Sequence, residues 1–193
     1  MNSADRKNPE TIYITERTSW RAWLAENFDK KDEVWLIFPK KASGMSRISY
    51  SDAVEEALCF GWIDSTIRSF DENSSIQRFS PRRSGSSFSQ PNKERLGWLL
   101  QRGLVHPSVL EAARKAVEEV FAFPPDILAA LEDDALAWRN YLRFSESYRR
   151  IRVAYIDSAR KRPEEFEKRL SNFLRKTREN KLIRGFGGIE KYY

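Results

Sequence analysis

The spacing of apolar residues changes character along this chain, and that change limits the folds open to it. In the first part, Val34-Trp35-Leu36-Ile37-Phe38 is a continuous run of β-type residues, the pattern of a central strand. Trp62–Phe70 and Ile76–Arg82 are two further strand-like runs, joined by the turn-rich Asp71-Glu72-Asn73-Ser74, and read as an antiparallel hairpin. Ile12-Tyr13-Ile14 reads as a short strand. Helical spacing appears in Trp20, Trp23, Leu24 and Phe28 behind a capping Ser19. It appears again from Ser51 through Val54, Ala57 and Leu58 to a stop at Gly61. Beyond the hairpin only the helical period remains. Helices are predicted over 89–102, ending at Gly103, and over 107–120. Phe123-Pro124-Pro125 breaks the pattern, and a pair of short helices follows around Leu131 and Tyr141. Two longer helices then run over 147–160 and 163–180, the last with a stripe of Phe166, Leu170, Phe173, Leu174 and Thr177.

The predicted fold class is therefore α+β: an antiparallel sheet with a β-hairpin covered by helices, followed by a helical C-terminal subdomain. The expected organisation is a loose N-terminus over 1–10 and an α+β domain over 11–123 with its hairpin at 62–82. A helical subdomain over 124–184 and a tail over 185–193 complete it. Gly185-Phe186-Gly187-Gly188 follows a helix rather than a strand, so it is a turn or tail and not a phosphate loop.

Composition narrows function mainly by exclusion. Six Trp, seven Tyr and twelve Phe supply a core that a disordered chain lacks. No apolar run is long enough to span a bilayer, and the polar N-terminus has no signal-peptide h-region, which points to a cytoplasmic protein. The single Cys59 allows no internal disulfide. At the end of a helix, its thiol reads as packed and unreactive. The single His106 excludes a metal site built on two histidines, and no metal or cofactor is expected. An enzyme pairing Asp64 with His106 or Cys59 is the weakest reading, because neither partner has a favourable setting.

The net charge of +6 is unevenly placed. Residues 146–184 hold thirteen Lys and Arg against six Asp and Glu, so the rest of the chain is close to neutral. Such a segment can be a nucleic-acid surface or the solvated face of helices, and the interspersed Glu164, Glu165 and Glu167 favour the second.

The hairpin carries the main candidate site. A register pairing Trp62 with Arg82 and Thr66 with Arg78 separates Ile63, Ile67 and Phe79 from a polar face. That face gathers Trp62, Asp64 and Arg68 with Arg78 and Arg82. Either Asp64 pairs with an arginine to cover the sheet, or the arginines hold a small anionic ligand while Asp64 orients one guanidinium. The following Arg82-Arg83-Ser84-Gly85-Ser86-Ser87 is small, polar and basic and leads into a helix near Ser89 and Asn92, where backbone N–H groups attract anions. The candidate ligand-binding set is thus Trp62, Asp64, Arg78, Arg82, Ser86, Ser89 and Asn92.

The run from Ser51 to Asp64, Ser-Asp-Ala-Val-Glu-Glu-Ala-Leu-Cys-Phe-Gly-Trp-Ile-Asp, resembles the YdeI/OmpD-associated (bacteriocin-protection) proteins. So do Arg78-Phe79-Ser80-Pro81-Arg82, Ser147-Tyr148-Arg149-Arg150 and Tyr155-Ile156-Asp157-Ser158-Ala159-Arg160. The resemblance spans roughly residues 12–180. It departs from the family at Phe88, where a Trp is usual, and at Glu165-Phe166, where a Thr-Arg pair is usual. It implies a bacterial protein without an established reaction, and a stress or antimicrobial-peptide-resistance interaction is the role its name suggests. The residues themselves favour binding of a small anion, with nucleic-acid binding through the basic C-terminal helices as the alternative and no prediction of oligomeric state.

Overall fold

The computed structural model describes residues 10–83, 85–185 and 188–193. The N-terminus expected to be loose, through residue 9, lies outside the described residues, as do Ser84 of the basic loop and Phe186 and Gly187 of the glycine-rich stretch. The chain is α+β. It divides into two compact units, one of Met1–Ser87 with Leu99–Arg114 and one of Phe88–Trp98 with Lys115–Tyr193.

The first unit holds four strands, β1 (Thr11–Ile12), β2 (Val34–Pro39), β3 (Trp62–Ser69) and β4 (Ser74–Pro81), in the order β1-β2-β4-β3. The hairpin β3–β4 and the pair β2–β4 are antiparallel as predicted. The short β1 joins β2 in parallel, so the sheet is mixed rather than wholly antiparallel. A parallel edge is possible here because helix α1 (Arg17–Asn27) supplies the crossover between β1 and β2.

Helix α1 and helix α2 (Tyr50–Cys59) lie on one face of this sheet. Trp20 and Leu24 on α1 are fully buried. The Trp20 indole donates to the carbonyl of Ala53 on α2 at 3.0 Å and meets Phe79 of β4 edge-on at 5.4 Å. Val34, Leu36 and Phe79 are each 0% exposed on that side. The cap of α2 is Ser49, two residues earlier than expected. Its hydroxyl accepts from the Asp52 N–H at 3.0 Å, while Ser51 lies inside the helix and donates to Glu55. Gly61 ends the helix as predicted. Its φ of +74° is a left-handed conformation that a side chain resists, and an added Cβ would sit 3.3 Å from Val109.

The hairpin contains a feature that alternation alone does not reveal. Past the middle of β3 the predicted register holds, with Ile67 opposite Gln77 and Arg68 opposite Ile76. A bulge between Asp64 and Ile67 then shifts the base by one residue, so Trp62 faces Pro81 and Asp64 faces Phe79. A one-residue slip moves every side chain to the other face. The expected polar face therefore does not assemble at the base of the hairpin.

In the second unit, α5 (Pro125–Glu132), α6 (Ala135–Arg143), α7 (Glu146–Asp157) and α8 (Pro163–Arg178) follow α3 (Gln90–Gln101) and α4 (Leu110–Glu118), helices whose residues divide between the units. Asp134 caps α6 through the N–H groups of Leu136 and Ala137, and Ser145 caps α7 through Tyr148. Pro163 opens α8 at a position where its missing N–H has no helical partner to lose. Ile127, Leu131, Tyr141, Tyr148, Ile156 and Phe173 build the core, with Phe166, Leu170 and Leu174 of the predicted stripe packed against it. Residues 188–193 are not a free tail. Ile189 and Tyr192 are 4% and 8% exposed and pack with Ile151 and Trp98, all within this unit.

Candidate functional site

The hairpin residues singled out from the sequence go to different surroundings. Trp62 is 1% exposed. Its indole N–H donates to the Phe28 carbonyl at 3.0 Å, and its ring meets Trp23 edge-on, so it is core. Asp64 shares the helix-covered face with Phe79. It accepts from the Tyr50 hydroxyl of α2 at 2.7 Å and from Gln77 at 3.4 Å. Arg78 lies opposite Trp35 on the other face and pairs with Glu33, its Nε 2.7 Å from the carboxylate. The Trp35 indole N–H also donates to Glu33; with Arg78 beside it, this holds the Glu33 carboxyl below the usual range. The structure thus puts Asp64 and Arg78 on opposite faces of the sheet, so these two do not pair.

Arg82 and Ser86 do meet. The Arg82 guanidinium donates to the Ser86 hydroxyl and carbonyl at 3.2 Å and to the Ser87 carbonyl at 2.8 Å, which ties the loop back on itself. Ser89 and Asn92 belong to the second unit. There the Ser89 carbonyl accepts from the Asn92 and Lys93 N–H groups at the start of α3, and the Asn92 side chain accepts from Arg95. His106 caps a short 3-10 turn through Ser108 and stacks between Phe28 and Phe60. These roles are structural. Among the described residues no group of three or more His, Cys, Asp or Glu could hold a metal ion. Nor is any helix among the described residues long and apolar enough to cross a membrane.

Cys59 is fully buried at the end of α2. Burial, followed by the negative charge of Glu56, pushes its thiol up to about 11, and Arg21 offsets this only in part. At pH 8 a thiol reagent is therefore expected to label native Cys59 at least a hundredfold more slowly than the unfolded chain; labelling at comparable rates would refute its burial. The raised value also fixes a sign. Stability linked to this thiol is complete below about pH 9 and falls as the pH climbs toward 11, where the unfolded state has already released the proton. A Cys59→Ala variant should lose that slope.

The second unit holds a cationic pocket that the sequence did not disclose. It has a volume of about 220 Å³ between α7 and α8, with Arg152, Tyr155 and Ile156 from one helix and Lys168, Arg169 and Phe173 from the other. Arg152 is 7% exposed. One of its terminal nitrogens donates to the Ile183 carbonyl at 2.6 Å and to the Tyr193 hydroxyl, and its charge lies over the rings of Tyr148 and Tyr193. Its Nε–H has no partner. Neither Arg152 nor Lys168 has a carboxylate within ion-pair distance among the described residues. Arg169 is committed, its Nε 2.8 Å from Glu165 and its charge 3.8 Å from the Tyr155 ring. The hydrogen bond from Arg169 holds the Glu165 carboxyl low, so Glu165 is ionised and already paired.

Many of the basic residues outside this pocket are ion-paired. Arg150 pairs with Glu94 and Glu146, Arg160 with Asp126 and Asp157, and Arg175, Lys176 and Lys181 surround Glu179. Pairs of this kind leave fewer charges to neutralise phosphates than the sequence count suggests.

The molecule so far is a two-unit α+β protein whose helical unit carries an arginine-lined pocket. Residues 12–112, just over half of the chain, match the family described as Domain of unknown function (DUF8412), and the protein belongs to that family. Residues 120–180 match the domain described as Bacteriocin-protection, YdeI or OmpD-Associated, so the resemblance drawn from the sequence is upheld in its C-terminal half, and the pocket falls almost wholly within it. The Ser51–Asp64 motif lies in the first match instead. No curated protein and no solved structure matches the chain.

Proposed function

We propose that this protein binds a small anionic ligand, and that the site is the α7–α8 pocket of the helical unit rather than the hairpin. The observation that carries the reading is Arg152, a nearly buried guanidinium with no carboxylate partner among the described residues, lining a cavity beside Lys168, its buried Nε–H unsatisfied. A buried charge without a counter-charge is costly, and a site for an anion is one arrangement that offsets the cost. The tyrosine faces around Arg152 supply part of the compensation. They leave the Nε–H unmet.

The test is thermal unfolding with small anions at constant ionic strength. An anion at a hundredfold excess over its dissociation constant stabilises by about 2.7 kcal/mol, or roughly 5–10 °C in Tm for a chain of this size. The rise should saturate for the native protein and shrink by more than half in Lys168→Ala. Equal rises in the two proteins, or none with any anion, would sink the reading. The ion-pairing of the basic helices predicts only weak, salt-sensitive retention on DNA, and a sequence-specific footprint at physiological salt would favour the nucleic-acid alternative.

A further inference from the structure

We infer that the ligand of this pocket is a small monocarboxylate with an apolar body, an inference that rests on the anion-site reading above. The polar groups of the pocket outside the Arg169–Glu165 pair are predominantly donors, two of them cationic. They are the Arg152 guanidinium that lines it, the Lys168 ammonium, the Tyr155 hydroxyl and the Asn172 amide N–H2, whose carbonyl oxygen is taken by Arg175 at 2.9 Å. The one carboxylate present, Glu165, is closed on Arg169, and Arg169 donates further to the Tyr155 carbonyl at 2.7 Å and to Ser158. A ligand must therefore bring acceptors.

Which acceptors follows from where the pocket lies. Phosphoryl groups are usually held by backbone N–H groups at a helix N-terminus. Arg152, Tyr155 and Ile156 instead occupy the later turns of α7, which ends at Asp157, and Lys168 to Phe173 lie mid-way along α8. No backbone donor is available there, and the negative end of the α7 dipole disfavours a second negative charge on the ligand. Two or three side-chain donors match the two oxygens of one carboxylate. The floor is apolar, with Ile156 and Phe173 each 1% exposed and Ile183 beside them. A carboxylate held by the cations would rest its carbon skeleton on these side chains. At about 220 Å³ the cavity is smaller than the usual drug-sized site of roughly 300–1,000 Å³, a size that suits a small acid.

The experiment is calorimetric titration of the full chain, at fixed ionic strength, with acetate, butyrate, hexanoate, benzoate, inorganic phosphate and sulfate, repeated on Lys168→Ala and Asn172→Asp. Affinity should rise along the aliphatic series by up to about fourfold for each methylene that is buried. Benzoate and hexanoate should bind at least tenfold tighter than phosphate or sulfate. Both variants, whose changed side chains are exposed and should leave folding intact, should weaken the carboxylates about tenfold. Phosphate binding more tightly than every carboxylate, with the same dependence on Lys168, would overturn the carboxylate assignment while leaving the anion site standing. Absence of binding by any anion would overturn both. Carboxylate binding that ignores both substitutions would overturn the placement in this pocket.

Discussion

Arg17→Met is expected to destabilise the first unit by about 3–5 kcal/mol, the cost of removing one partner from a buried ion pair. Arg17 joins α1 to three acids on α2: its Nη1 is 2.8 Å from both Asp52 and Glu55, and its Nε is 2.5 Å from Glu56. The Glu55 side chain is 0% exposed and that of Glu56 is 3%. Burial works against the charge of Arg17, but the opposing charge of Glu56 and the hydrogen bonds Arg17 donates to both glutamates win, and its pKa is raised. Without Arg17, Glu56 keeps Arg21 at 2.6 Å while the buried Glu55 loses the Arg17 contact at 2.8 Å. Urea unfolding followed by tryptophan fluorescence reads the effect, since Trp20 and Trp23 lie on the same helix. Arg17→Lys should recover only part of the loss, because an ammonium cannot serve three carboxylates with fixed forked donors. A change below 1 kcal/mol in Arg17→Met would show that the network is closer to solvent than its burial indicates.

This network explains why the Ser51–Asp64 segment carries so distinctive a pattern. Two adjacent glutamates on an otherwise apolar helix look, in sequence, like a solvated turn. They are buried because Arg17 and Arg21, a helical turn apart on α1, meet them. Periodicity predicts which apolar residues face inward, and it placed α1, α2, the hairpin and the α8 stripe correctly. It cannot say which charges will follow them, since that depends on a partner some 35–40 residues away. The hairpin shows the same limit in another form. Strand alternation identifies the two strands and their pairing near the turn. The bulge at Ser65-Thr66 has no Gly or Pro to announce it, and it alone moves Asp64 to the face of Phe79.

The α7–α8 pocket was illegible for a third reason. Arg152 and Lys168 look like ordinary members of a basic, soluble helix pair, and in the sequence their neighbours Arg150, Arg160 and Arg169 are equivalent to them. The neighbours find acids in the fold and these two do not. The distinguishing property is the position of carboxylates in space, which a charge count along the chain averages away. One signal was available: Arg152 falls four residues after Tyr148 and four before Ile156, so helical spacing already directs its stem toward the core side of α7.

The second large effect is expected at Trp62, where the sequence placed a ligand contact and the structure places core. Trp62→Ala should cost about 3–5 kcal/mol, the range for removing a large aromatic from a packed interior. The ring is 1% exposed, meets Trp23 at 5.8 Å between centroids, and gives its indole N–H to the Phe28 carbonyl at the end of α1. The truncation therefore opens a cavity and strands an acceptor in one step. Trp62→Phe separates the two contributions. It keeps most of the volume but not the donor, and should recover all but about 1–3 kcal/mol, the cost of a buried acceptor left unsatisfied. The paired measurement is denaturant unfolding together with anion titration on each variant. If Trp62 served a ligand on the hairpin, Trp62→Phe would lower anion affinity at nearly native stability. If it serves the core, stability falls and the anion dissociation constant, set in the other unit by Arg152 and Lys168, does not move.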